Sequence, residues 1–213
     1  MKKLFLVLLF VLPAQVFAFA PTFVSPTMVD DLVAVTETNT QYSFFGDLYH
    51  FPHTYELVIV EPTVLNVQIL VPVMDGVLPD RSGIIVKKEK RGVTEVARMH
   101  YREASWTEVS DKSTGDTYLA GGSFEGVLEP GTYLVEVSTG ENLGKYVLQI
   151  HTGELTKDSK RSYFATLGDV AKIKVFFEKP VIAVFQSPSY YIPLLLLLLF
   201  SLFGYRRYKK KHA

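Results

Sequence analysis

From about Tyr42 to Ile150, apolar and polar positions alternate with a period of two. Leu65, Val67, Ile69 and Val71 interleave with Val64, Asn66, Gln68 and Leu70. Tyr133, Val135 and Val137 interleave with Leu134, Glu136 and Ser138, and Tyr146, Leu148 and Ile150 with Lys145, Val147 and Gln149. This period belongs to strands with one buried face. Thr54 to Val60 and Ile84 to Val86 are similarly rich in β-branched residues. Turn formers separate the runs: Asp75-Gly76, Pro79-Asp80, Arg91-Gly92, Gly115-Asp116, Gly121-Gly122, Pro130-Gly131 and Asn142-Leu143-Gly144. Short strands and turns at this spacing predict an all-β fold, an antiparallel β-sandwich or jelly-roll over about 42–155. The polar, Thr-rich stretch 21–41 reads as a leader or an edge strand.

The period then changes. Val170, Ile173 and Phe177 fall at i, i+3 and i+7, with Phe176 widening the stripe, which predicts an amphipathic helix over about 167–178. Asp169 suits its first turn and Lys179-Pro180 its end, while Lys172, Lys174 and Lys179 sit away from the stripe. The helix either lies in a membrane interface, as part of a juxtamembrane segment 156–189, or packs on the sandwich as its last element. Its closeness to the apolar C-terminal run favours the first placement.

Both ends of the chain are apolar and flanked by basic residues. Lys2 and Lys3 precede an unbroken apolar stretch from Leu4 to Leu12, and Pro13 ends it. With small residues at Ala18 and Ala20, this is the pattern of a signal peptide over 1–20, cleaved after Ala20 or after Ala18. At the other end, Tyr190 and Tyr191 lead into six leucines, Leu194 to Leu199, and the run closes at Tyr205. Arg206, Arg207, Lys209, Lys210 and Lys211 follow. Aromatic edges and a basic tail predict one transmembrane helix over 190–205 with a cytoplasmic tail at 206–213. The sandwich would then be extracytoplasmic, periplasmic or on the cell surface, on a single-pass membrane protein. At about 24 Å that helix is short for a bilayer core of about 30 Å.

Charge and composition narrow the function classes. The chain has 22 basic and 22 acidic residues, yet all the acidic ones lie between Asp30 and Glu178. Once the two ends are set aside, the middle is acidic, which disfavours nucleic acid as a partner. No cysteine is present, which removes disulfides, Cys-ligated zinc and thiol catalysis.

One stretch resembles a known family. Gly126-Val127-Leu128-Glu129-Pro130-Gly131-Thr132-Tyr133-Leu134-Val135-Glu136-Val137, followed by Gly144-Lys145-Tyr146-Val147-Leu148-Gln149-Ile150, is similar to the closing hairpin of bacterial pre-peptidase C-terminal domains. Tyr49-His50-Phe51 and the strand Val64 to Val71 occupy the places of that family's opening strands. The resemblance implies a small β-sandwich of the kind appended to secreted enzymes. The family's calcium site does not carry over, because no acidic cluster here matches it. The wider layout is similar to bacterial single-pass membrane proteins with a signal, a β domain and one C-terminal helix.

Candidate chemistry is sparse. Asp47, His50 and His53 form a local group of ligand-type side chains, and His100 or His151 would have to join them to hold a metal. Asp75, Asp80 and Asp116 sit in turns, where calcium is conceivable but no calcium-loop spacing occurs. Ser123 lacks the Gly-x-Ser-x-Gly context of a hydrolase nucleophile. Trp106 reads as a core anchor or a ligand platform, and Lys87 to Arg91 as a solvated hairpin tip. No catalytic, cofactor or metal residue is assigned. The expectation is a non-catalytic binding or accessory module whose partners are the membrane and an envelope protein or glycan. A hydrolase with an unrecognised site and a subunit of an envelope complex are the alternatives.

Overall fold

The computed structural model describes residues 20–36, 42–102, 104–153 and 162–212. The residues through Phe19, on which the expected signal peptide and the Ala18 cleavage position fall, lie outside them.

Among the described residues, eleven strands form two stacked sheets. They are β1 (Ala20–Val24), β2 (Leu32–Val35), β3 (Tyr42–Tyr49), β4 (His53–Ile59), β5 (Thr63–Pro72), β6 (Ser82–Glu89), β7 (Gly92–Met99), β8 (Thr107–Asp111), β9 (Asp116–Leu128), β10 (Gly131–Ser138) and β11 (Leu143–Thr152). One sheet has six strands in the order β1-β3-β11-β5-β9-β8, and the other five in the order β2-β4-β10-β6-β7. The segment from Ala20 to Val35 gives each sheet an edge strand, β1 parallel to β3 and β2 parallel to β4. The remaining pairings are antiparallel. The Pro130-Gly131 turn carries the chain from the six-stranded sheet into the five-stranded one. The family-like stretch is therefore not a hairpin, because β10 and β11 lie in different sheets. Their alternating side chains meet face to face instead.

Between the sheets lies the main core, with Phe44, Leu48, Leu57, Leu65, Ile69, Ile85, Val135 and Leu148 buried from both sides. It holds one polar chain. The Tyr55 and Tyr146 hydroxyls share a hydrogen bond of 2.7 Å, and His53 Nδ1 lies 2.8 Å from the Tyr146 hydroxyl. The Tyr146 ring covers Gly46, its cross-strand partner, so closely that a Cβ there would stand 2.4 Å from the ring.

The helical stripe is real, but its position and surroundings correct the expectation. Helix α1 spans Tyr163–Phe176, starting earlier than residue 167, and the Ser162 hydroxyl caps it by accepting from the Ala165 N–H at 3.2 Å. Asp169 lies mid-helix and is buried. At the C-terminus, Lys179 N–H donates to Lys174 C=O and Glu178 N–H to Val175 C=O, with Glu178 left-handed at φ 55°. This is a Schellman stop. The helix does not lie in a membrane interface. Ile173 and Phe177 form a second core with Phe45, Leu70, Tyr118 and Val147 on the outer face of the six-stranded sheet. Phe177 meets the rings of Phe45 and Tyr118 at 5.8 and 5.9 Å, and Phe176 meets Phe23 of β1 at 5.5 Å.

After α1, 3-10 turns at Val181–Gln186 and Pro188–Tyr190 fasten the chain down. Ser187 Oγ donates to Ser113 C=O at 2.6 Å and the Tyr190 hydroxyl to Leu167 C=O at 2.9 Å. Tyr190 thus packs on α1 rather than serving as the edge of an aromatic belt.

Helix α2 spans Tyr191–His212 and includes Tyr205, Arg206, Arg207, Lys209, Lys210 and Lys211. The transmembrane expectation fails here: among the described residues no helix is long and apolar enough to cross a membrane. The physical reason is its division into two unlike parts. Apolar residues run from Ile192 only to Phe203, about 18 Å of helix against the roughly 30 Å required. The remaining length would draw five cations into hydrocarbon. Leu194 to Leu199 are exposed, by between 37% and 61%.

Candidate functional site

Because strand side chains alternate, the outer face of the six-stranded sheet is built from the residues that do not enter the main core. Pairing register sorts them into rows across the strands. One row is Phe45, Val147, Leu70 and Ala120, the floor on which α1 sits. One pleat along lies Ser43, Gln149, Gln68 and Ser123, and beyond it His151, Asn66 and Glu125. Apolar side chains thus give way to uncharged hydrogen-bonding groups within two residues on β3, β11 and β5, and three on β9, where the register shifts.

Two adjoining clefts open over the polar rows. The first, 280 Å³, is lined by Ser43, Gln68, Gln149, Tyr118 and the β8–β9 turn at Asp111 and Lys112. The second, 200 Å³, shares Gln68 and Gln149 and adds Asn66, Ser123, Glu125 and His151. Ser43 Oγ and the Tyr118 hydroxyl are buried in the first cleft, and Ser43 Oγ has no hydrogen-bond partner among the described residues. Thr114 lies beside the Tyr118 hydroxyl and pulls its pKa back down against the effect of burial. Each unmade bond at a buried hydroxyl costs about 1–3 kcal/mol unless water or a ligand supplies it.

Electrostatically the site is nearly neutral. Burial pushes the Tyr118 phenol well above its ordinary pKa, reinforced by Asp116 and Asp111. Burial lowers His151, with Glu125 opposing the shift. The Asp111 carboxylate is occupied within its own turn, accepting from Ser113 N–H and Oγ at 2.8 and 2.6 Å and from Thr114 Oγ1 at 3.0 Å.

Behind the first cleft stands a buried ion cluster that fixes the helix boundary. Asp116 Oδ1 accepts from Lys174 Nζ at 2.7 Å and Lys179 Nζ at 2.6 Å, and Lys174 also donates to Gln186 Oε1 at 3.1 Å. Asp116 and Lys174 are each 1% exposed. Lys174, expected to lie away from the stripe, is therefore among the most buried residues of α1. Gly115 makes room for this arrangement: at φ +71°, a Cβ there would stand 2.3 Å from Gln186 C=O.

The sequence-derived candidates disperse. His53 is in the main core, where burial lowers its pKa to about 4, whereas His50 is exposed at φ 67° against Tyr49. Asp47 lies on β3, where partial desolvation of its carboxyl raises the pKa against the opposing pull of Lys145. His100 stacks on Tyr101, and His151 belongs to the polar rows. No group of three or more metal-ligating side chains converges among the described residues. Asp80 pairs with Arg81, and Ser123 is one member of the polar row. Trp106 is half-buried, its ring over Gly121 and its indole N–H donating to Tyr101 C=O at 3.1 Å. Lys87 to Arg91 close the β6–β7 hairpin, where Lys88 reaches Glu56 at 2.7 Å. A third cleft of 770 Å³ lies on the outer face of the five-stranded sheet, over Leu32, Ile84, Val86 and Leu134 with Arg98 and Glu136 beside them.

No protein-family model and no curated protein matches the chain. Among solved structures, it is similar to PliG of Aeromonas hydrophila, a periplasmic inhibitor of g-type lysozyme. That match has 14% identity and a TM-score of 0.38, covering 62% of this chain and 99% of that one. It is also similar to the pre-peptidase C-terminal domain of collagenase from Bacillus anthracis. There the identity is 10% and the TM-score 0.35, over 57% of this chain and 94% of that one. The family that the strands around Pro130-Gly131 resemble in sequence is thus met again among solved structures.

Proposed function

We infer that the chain is an exported, non-catalytic binding module whose ligand lies on the polar half of the outer face of the six-stranded sheet. The observation that carries this reading is the buried Ser43 hydroxyl, without a hydrogen-bond partner among the described residues, in a cleft with the Tyr118 hydroxyl and the Gln68 and Gln149 amides. Such groups bind and orient. Reaction chemistry at neutral pH calls for an activated nucleophile or a tuned acid–base pair, and the polar rows consist mainly of amides and hydroxyls. Export is supported by Lys2, Lys3, the Leu4 to Leu12 run and the small residues at Ala18 and Ala20. Cleavage after Ala20 would leave Pro21 as the first residue of the mature chain, one residue into β1.

The test incubates protein recovered from the cell envelope with a mixed panel of oligosaccharides, peptides and carboxylic esters. Its N-terminal sequence should begin at Pro21 or, for the earlier cleavage, at Phe19. At least one panel member should raise the melting temperature of the wild-type protein but not that of the Gln68→Ala, Gln149→Ala variant. Every compound should be recovered unchanged. Consumption of a panel member, or stabilisation that survives the double substitution, would remove this reading.

A further inference from the structure

The geometry points to a neutral oligosaccharide as the ligand of the polar rows, lying across the strands rather than along them. This inference rests on the binding face proposed above and names its ligand class. Ser43, Gln149, Gln68 and Ser123 stand side by side on β3, β11, β5 and β9, so the row crosses three inter-strand steps, about 14 Å. That length suits a few linked sugar rings. Each carboxamide offers an acceptor oxygen and a two-proton donor, so one Gln can receive one hydroxyl and donate to the next. The buried Ser43 Oγ, which has no hydrogen-bond partner among the described residues, and the Tyr118 hydroxyl add two groups in the same cleft.

Other ligand classes fit less well. A peptide that adds as a strand needs a free sheet edge, but β11 and β5 are paired on both sides and offer only side-chain ends. The row itself carries no charge. Around it stand Glu125 with His151, the internally bonded Asp111 and the single cation Lys112, a rim that gives a polyanion little to pair with. Apolar ligands would leave the amides and hydroxyls unsatisfied.

The test is an NMR titration of the full-length, ¹⁵N-labelled chain, read at the side-chain NH₂ signals of Gln68, Gln149 and Asn66. The probes are maltotetraose, cellotetraose and chitotetraose, with their monosaccharides, tetragalacturonate and a neutral tetrapeptide. At least one neutral tetrasaccharide should move the three signals, and its monosaccharide should bind at least about tenfold more weakly. The Gln68→Ala, Gln149→Ala variant should lose about tenfold or more in affinity, with the remaining spectrum preserved as the check on folding. If the tetrapeptide or tetragalacturonate moves these signals and no neutral sugar does, the ligand class is wrong and the binding face stands. If no probe moves them, both are overturned.

Discussion

On the outer face of the six-stranded sheet, two neighbouring rows ride on the same four strands and are covered differently. Phe45, Val147, Leu70 and Ala120 lie beneath helix α1, whereas Ser43, Gln149, Gln68 and Ser123, one pleat away, face open clefts. Backbone geometry is shared, so side-chain chemistry decides. The apolar row gains from losing water, and a helix presenting Ile173 and Phe177 supplies the cover. The amide row would lose hydrogen bonds under such a helix and stays open. The helix over the apolar row is held by Asp116, which clamps the two lysines at the end of α1. Helix α2 makes the same point from the other side. Its leucines are more apolar than α1 but remain exposed, because apolar character buries a helix only where a complementary surface meets it.

The contrast can be broken most severely at the clamp. Asp116→Ala leaves Lys174 charged in a buried site, and the expected loss is about 3–5 kcal/mol in urea unfolding. Replacing the pair together, with Asp116→Leu and Lys174→Met, should recover most of that loss, since Lys179 can turn to water. A double substitution as costly as the single one would show that the loss comes from the missing clamp itself and not from a stranded Lys174 charge.

Acid addresses the layer beneath both rows. The imidazole of His53 titrates near 6.5 when unfolded and at about 4 when folded, because burial disfavours its charged form. Between those values the unfolded chain binds more protons, so the stability present above pH 6.5 is lost as pH falls toward 4, by up to about 3 kcal/mol. His53→Gln should flatten that slope in urea midpoints measured at pH 7 and 4.5. An unchanged slope would assign the acid sensitivity to other groups.

The smallest effect belongs to the open row. Gln68→Val should alter stability by no more than about 0.5 kcal/mol, since the side chain reaches solvent and valine suits a strand. A loss several times larger would mean that the amide serves packing rather than a ligand.

Much of the fold is legible in the sequence, because a half-buried strand writes its burial into every second residue. Leu65, Val67, Ile69 and Val71 announce β5 unaided, and Val170, Ile173 and Phe177 announce the buried side of α1. The site is less legible because it arises from register. Gln68 and Gln149 each look like ordinary outward residues until antiparallel pairing sets them side by side. Lys174 looks like a solvated lysine because its counterion is 58 positions away. The juxtamembrane reading of α1 failed for a related reason: proximity in sequence to the leucine run said nothing about Phe45 and Tyr118, which the helix meets in space. A signal was available in Gly115-Asp116, where a turn glycine precedes an acid that opens a strand.

The pairing of β3 with β11 also governs time. These neighbours in the six-stranded sheet lie about a hundred residues apart in sequence, and α1, which covers part of the outer face, comes later still. As the chain emerges, β3 must wait for its antiparallel partner with Phe44 and Phe45 uncovered. Loop closure on that scale makes folding slow and leaves sticky edges exposed meanwhile. A helper that shields nascent strands would therefore affect the yield of this protein more than any single contact in its finished core.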